Sequence, residues 1–186
     1  AGNLGKHPLK RCLLRTRIVL TGPESCGKTE LGRQLSERLS IPCVPEMARD
    51  YLSKKTGSYL PSDLLVIAEL QYQKEEETAV ISDYIADTDQ QALSIWWQEK
   101  FGPTPQLICD LYKRQSRGVY LLCYPDLVWE PDPLRENEND RLRLFEIYLE
   151  DLRKRELLYR VVKGTGETRL NNAINALEDY RASNLA

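Results

Sequence analysis

Between an apolar run, Arg17-Ile18-Val19-Leu20-Thr21, and a leucine stripe, Leu31, Leu35 and Leu39, lies Gly22-Pro23-Glu24-Ser25-Cys26-Gly27-Lys28-Thr29. This is G-x-x-x-x-G-K-[ST] without exception, placed after a strand signal and before a helical one, where the pattern has a physical meaning. A loop that wraps a phosphate must turn successive backbone N–H groups inward, so bulk at its glycines obstructs it. Lys28 can then reach the β- and γ-phosphates, and the Thr29 hydroxyl can ligate magnesium. The helix that follows aims its positive end at the anion. A chain of this length and average composition shows the pattern by chance about 1% of the time. Residues 22–29 are therefore expected to bind ATP with Mg2+.

Composition narrows the setting. A chain of 186 residues suffices for one full core and is short for two domains. With 26 basic and 28 acidic residues the net charge is -2, which creates no field towards nucleic acid or an anionic membrane. No apolar run approaches the roughly 20 residues of a membrane helix, and Ala1 to Lys10 lacks a signal-peptide stretch. The five cysteines are odd in number and widely separated, and the one histidine is His7, so neither disulfides nor a zinc site are expected. A reducing, cytoplasmic setting follows. The expected organisation is a loose extension over 1–16 and one P-loop domain over 17–186.

Hydrophobic periodicity predicts strands alternating with helices. Strands are expected at 17–21, at 42–44, in the second half of 79–86, at 118–123 and at 157–162. Helices are expected at 29–39, from Ser62-Asp63 towards Glu77, and at 90–100. Two more are expected at 139–155, with Leu142, Phe145, Leu149 and Leu152 on one face, and at 168–180. This order implies a mainly parallel sheet covered on both faces, a three-layer α/β/α arrangement. Residues 124–140 form the longest irregular stretch and read as a lid.

Other residues extend the site. Glu46 follows the second strand, where a base for an acceptor hydroxyl would stand, and Arg49 lies one helical turn on. Asp87 is expected to hold magnesium and Asp89 to bind substrate or act as base, and the two could exchange roles. Arg135 and Arg141 could bring positive charge to the phosphates, or pair with Glu136, Glu138 or Glu146, and Arg143 reads as surface. Trp96, Trp97 and Trp129 either pack or stack on a flat ring. Gly164-Thr165-Gly166 reads as an adenine-side loop or an ordinary turn, and Cys26 as a packed or an oxidation-sensitive thiol. Neither the guanine-reading N/T-K-x-D element nor the L-S-G-G-Q signature is present.

The extended set resembles the kinase domain of NadR-type proteins, the ribosylnicotinamide kinase part of that bifunctional family. The resemblance rests on Thr21 to Thr29, Glu46-Met47-Ala48-Arg49, Asp87-Thr88-Asp89 and Trp129-Glu130-Pro131-Asp132-Pro133-Leu134-Arg135. It runs from about residue 17 onwards. It implies a P-loop kinase fold and phosphorylation of nicotinamide riboside by ATP. It also implies Glu46, Arg49 and Asp87 on the acceptor and magnesium side, and Trp129, Asp132 and Arg135 in the lid. The sequence departs from the family at Cys26, where a small serine is commoner, and at Val44-Pro45-Glu46-Met47; it has no H-x-G-H-like motif. Two functions remain: a kinase of a small nucleoside-like acceptor, or a nucleotide-dependent regulatory module with no such acceptor.

Overall fold

Strand β1 (Arg17–Thr21) is buried along its whole length, as a short apolar run must be when a parallel sheet is covered on both faces. The computed structural model describes residues 16–132 and 134–185. The extension expected to be loose, with His7 and Cys12, lies outside the described residues except for Thr16, and so does Pro133.

Four more strands, β2 (Cys43–Val44), β3 (Tyr84–Asp87), β4 (Val119–Cys123) and β5 (Leu158–Val162), join β1 in the order β2-β3-β1-β4-β5. Every pairing is parallel. Helices α1 (Lys28–Leu39) and α7 (Gly166–Leu185) cover one face, where Leu31, Leu35, Ala173 and Leu177 pack on Ile18, Leu20, Val119 and Leu121. On the other face α4 (Gln90–Phe101) and α6 (Arg141–Lys154) pack Ile95, Phe145, Leu149 and Leu152 against Val19, Tyr120 and Leu122. This alternation along β1 and β4 is the two-residue period of a strand. Helices α2 (Met47–Ser53), α3 (Pro61–Ala79) and α5 (Gln106–Arg114) complete that side through Leu52, Ile67, Ile108 and Leu111. The result is the three-layer α/β/α fold of P-loop proteins. No helix among the described residues is long and apolar enough to cross a membrane.

Three local features differ from expectation. Helices α2 and α5 are additional. In α2 only Ala48 and Leu52 are buried, too short a stripe to show a period. In α5, Pro105 before the helix and buried Ile108, Leu111 and Tyr112 are the signal that could have found it. On α6 the buried face is Leu144, Phe145, Tyr148, Leu149 and Leu152, and Leu142 is 60% exposed. Two helical residues are about 200° apart, so burying Leu144 turns Leu142 outward.

Arg17, at the start of β1, is 2% exposed. Its guanidinium meets Glu75 Oε2 of α3 at 2.7 Å and Asp89 Oδ2 at 3.0 Å, and Tyr120 donates its hydroxyl to the same Asp89 oxygen at 2.7 Å. Removing one partner of a buried ion pair strands the other charges. Arg17→Met should therefore lower stability to urea unfolding by about 3–5 kcal/mol, whereas truncating an exposed pair such as Arg33 with Glu37 should leave stability nearly unchanged.

Candidate functional site

The carboxyl end of β1 delivers the loop to the edge of the sheet where open parallel folds hold their ligands. Gly22 and Gly27 have φ of +127° and +76°. A Cβ at Gly22 would stand 2.7 Å from the Cys123 carbonyl oxygen, and one at Gly27 2.6 Å from Leu127 Cδ1. Gly22 therefore needs glycine for space as well as for backbone angle, and Gly27 for its backbone angle, since the Leu127 side chain can shift. Lys28 Nζ donates to the carbonyls of Gly22 at 2.9 Å and Pro23 at 2.7 Å. Cys26 is fully buried, and its thiol also donates to the Pro23 carbonyl, at 2.9 Å. Burial opposes ionisation of that thiol, yet a hydrogen bond from Cys123 and the charges of Lys28 and Arg169 hold its pKa below the ordinary thiol value.

The Thr29 hydroxyl donates to Asp87 Oδ2 at 2.7 Å. Asp87 is 2% exposed, and its Oδ1 is buried without a hydrogen-bond partner. Burial pushes the Asp87 carboxyl up, against the pull of Thr29, Lys28 and Arg49. An orphaned carboxylate oxygen beside a threonine hydroxyl suits a hard divalent cation. Among the described residues no group of three or more His, Cys, Asp or Glu forms a metal cluster. A magnesium ion here would therefore complete its shell with phosphate oxygens and water.

All of residues 22–29 line one cavity of about 480 Å³, within the range of small-molecule sites. Its far wall carries Glu46 and Arg49 from the start of α2, with Leu52, Ile95 and Trp96. Burial raises the Glu46 carboxyl above its ordinary pKa, opposed by Lys28 and Arg49 and aided by Asp87. Trp96 lies edge-on to Tyr59 with ring centroids 5.1 Å apart, and its indole N–H donates to the Tyr59 hydroxyl at 3.0 Å. Trp97 instead packs edge-on to Phe101.

The described residues of 124–140 contain no helix or strand, and Leu127, Leu134 and Arg135 among them line the cavity. The side chains of Glu24 and Ser25 hold this segment. Glu24 Oε2 accepts the backbone N–H of Glu136 and of Asn137, each at 2.9 Å. Ser25 Oγ accepts the Glu130 N–H at 3.0 Å and Arg135 Nη1 at 3.4 Å. Arg49 pairs with Asp132 at 2.7 Å, tying the far wall to the same segment. Arg135 also donates to the Glu130 carbonyl, and Arg143 pairs with Glu99 and Asp140 at the surface.

Five expected site residues stand outside the lining, among them Asp87, which reaches it only through Thr29. Asp89, expected at the substrate or as base, is fully buried and accepts hydrogen bonds from Arg17, Gln115, Tyr120 and the Gln91 N–H, so no lone pair of it faces the cavity. Arg141 and Trp129 are outside the lining; Arg141 donates to the Leu127 carbonyl at 2.8 Å and to the loop carbonyl of Ser25 at 3.3 Å, and stands 5.7 Å from the Trp129 ring centre. Gly164 is also outside the lining, in a turn with φ +96° whose N–H donates to Asp126 Oδ2 at 2.7 Å. The sequence reading missed Tyr148, which lines the cavity. It also missed Arg169, whose spacing with Ala173 and Leu177 puts a cation on the buried stripe of α7.

A family described as an AAA domain matches residues 17–169. No curated protein matches the chain. Among solved structures, NadR protein in complex with NR superposes with a TM-score of 0.77 at 21% identity, over 90% of this chain and 52% of that one. The chain thus spans about half the length of that NadR chain. A deoxyadenosine kinase from M. mycoides follows with 0.67 at 13% identity, over 88% of this chain and 100% of that one. Shikimate kinase from Acinetobacter baumannii, in complex with shikimate, gives 0.53 at 18% identity, over 92% and 96%. At these identities the likeness is one of fold.

The raised Glu46 carboxyl has a consequence for stability. Its folded pKa lies above the unfolded one, so its charge weakens the folded state as pH rises through the ordinary carboxylate value of about 4.3 and beyond. Glu46→Gln should make the protein more resistant to urea than the wild type at pH 8. The gain should vanish as pH falls towards that value.

Proposed function

The chain belongs to the AAA-domain family, and on that premise we propose that it is an ATP-dependent kinase of a small nucleoside-like acceptor. The observation that carries this reading is the two-walled cavity. One wall offers Lys28 and Thr29, whose hydroxyl donates to the Asp87 carboxylate just behind the lining, and the other offers a part-buried carboxyl, Glu46, beside Arg49 and Trp96. A site that only senses phosphate has no need of the second wall. Nicotinamide riboside is the acceptor that the NadR resemblance implies, in keeping with the NR named for the NadR complex.

In this reading the loop N–H groups and Lys28 hold the phosphates by backbone dipoles and charge. Magnesium, held by Thr29 and Asp87, would supply positive charge against the phosphate oxygens. Glu46 accepts the proton of the acceptor hydroxyl as its oxygen bonds to the γ-phosphorus and the bond to ADP breaks. Burial that raises the Glu46 pKa brings the base closer to the working pH. Arg49 fixes the acceptor end, and Trp96 offers a flat face to a ring. Arg135, on the segment that closes the mouth, adds charge to the transition state and helps to exclude water.

The deciding experiment measures ADP release with and without nicotinamide riboside, then across other ribosides and deoxyribosides. Stimulation by a riboside supports the kinase. Slow turnover indifferent to every nucleoside would leave the regulatory module instead. Lys28→Ala should abolish ATP binding by calorimetry. Arg135→Ala should lower kcat by about 10²-fold, the scale of one lost transition-state donor, and leave ATP binding nearly intact.

A further inference from the structure

One buried guanidinium behind the phosphate loop takes no part in the chemistry just described. Arg169, in the first turn of α7, is 4% exposed. Its Nη2 donates to the Cys26 carbonyl at 2.5 Å and to the Tyr124 carbonyl at 3.0 Å. Its Nη1 donates to the Gly164 carbonyl at 2.8 Å and pairs with Asp126 Oδ1 at 2.7 Å. The other Asp126 oxygen accepts the Gly164 N–H at 2.7 Å. The phosphate loop, the exit of β4 and the turn after β5 thus converge on one side chain. Its Nε is buried without a hydrogen-bond partner, 3.7 Å from where a Cβ of Gly27 would stand. Leaving a buried donor unmet costs stability, so the geometry of this side chain is not explained by stability alone.

We propose that Arg169 is a positioning residue for ATP binding, one that sets the direction of an anion-binding N–H in the loop. A peptide unit is planar and trans, so its C=O and N–H point opposite ways. Drawing the Cys26 carbonyl back onto Arg169 turns the Gly27 N–H of the same unit forward, to the side where Gly27 lines the cavity. The guanidinium suits this task because its fixed fork holds several carbonyls at once, where an ammonium would hold them loosely. Asp126 braces the fork and ties the same anchor to the turn at Gly164. The inference rests on the reading of the loop as an ATP site.

The test measures binding of ATP, and of inorganic tripolyphosphate as a probe of the cradle alone, by calorimetry. Arg169→Lys should weaken both by about tenfold or more, the worth of one charge-assisted hydrogen bond. The acceptor KM should not move. Leu177→Ala, a core change on the same helix, controls for lost stability and should leave affinity intact. Asp126→Asn, on a part-exposed side chain, should weaken ATP by a smaller factor and serves if Arg169→Lys does not fold. The inference falls if Arg169→Lys binds ATP within about twofold of the wild type, or if Leu177→Ala weakens it equally. It also falls if Arg169→Lys cannot fold and Asp126→Asn binds normally. A wild-type chain that binds no ATP would overturn this inference and the proposed function together.

Discussion

Arg17 between Glu75 and Asp89 places a cation and two carboxylates inside the core on one face of the sheet. Desolvating three charges is expensive, and their mutual attraction compensates only when geometry and hydrogen bonding are complete. Here they are: Tyr84 and Tyr120 donate hydroxyls to the two carboxylates, and Gln115 adds a further bond to Asp89. Neighbouring elements take their positions from this cluster. Asp89 caps α4 by accepting the Gln91 N–H at 2.9 Å. On α3, one turn before Glu75, Gln71 accepts the Met47 N–H at 3.0 Å and reaches the Thr88 carbonyl at 3.4 Å. Met47 follows Glu46 and Thr88 follows Asp87. The same buried helix face therefore sets both Glu46, in the cavity lining, and Asp87, behind Thr29.

That arrangement explains the left-handed backbone at Thr88, φ +69°. The chain must leave β3 with Asp87 beside Thr29 and, two residues on, bury Asp89 against Arg17. An extended exit would keep residues two apart on the same face of the sheet, Asp89 beside Asp87. A non-glycine residue at positive φ costs on the order of 1 kcal/mol, which a well-satisfied buried cluster can offset. Asp87 and Asp89 thus cannot exchange roles: one faces the loop and the other faces the core.

The parts of the site that local chemistry dictates were legible in the sequence. The loop was readable because its glycines, lysine and threonine act within eight consecutive residues. Glu46 and Asp87 were readable because each follows the end of a parallel strand, where ligands gather. Asp89 was not, because its partner Arg17 stands 72 residues away and nothing in D-T-D distinguishes the two carboxylates. Arg169 lies 143 residues from the carbonyl it holds. Of the fold, the alternation of strands with helices along the chain and the parallel sheet covered on both faces followed from periodicity. The short helix α2 did not, because its position is set by Gln71 and by Tyr51 on Asp63 and not by a stripe of its own.

The phosphate loop is held from two sides by means that leave its inner surface alone. In front, Glu24 and Ser25 use side-chain oxygens to grip the backbone N–H groups of Glu130, Glu136 and Asn137. Behind, Arg169 grips a loop carbonyl. Neither contact consumes a loop N–H, so the groups that suit an anion are kept in place without being used. Glu24 and Ser25 were expected to serve the nucleotide as part of the loop, and their side chains also hold the segment across the mouth. This division gives the side chains at the variable positions 24 and 25 a mechanical part. It couples closure of the mouth to the shape of the loop, since residues 130–137 cannot lift without releasing both side chains that flank the cradle.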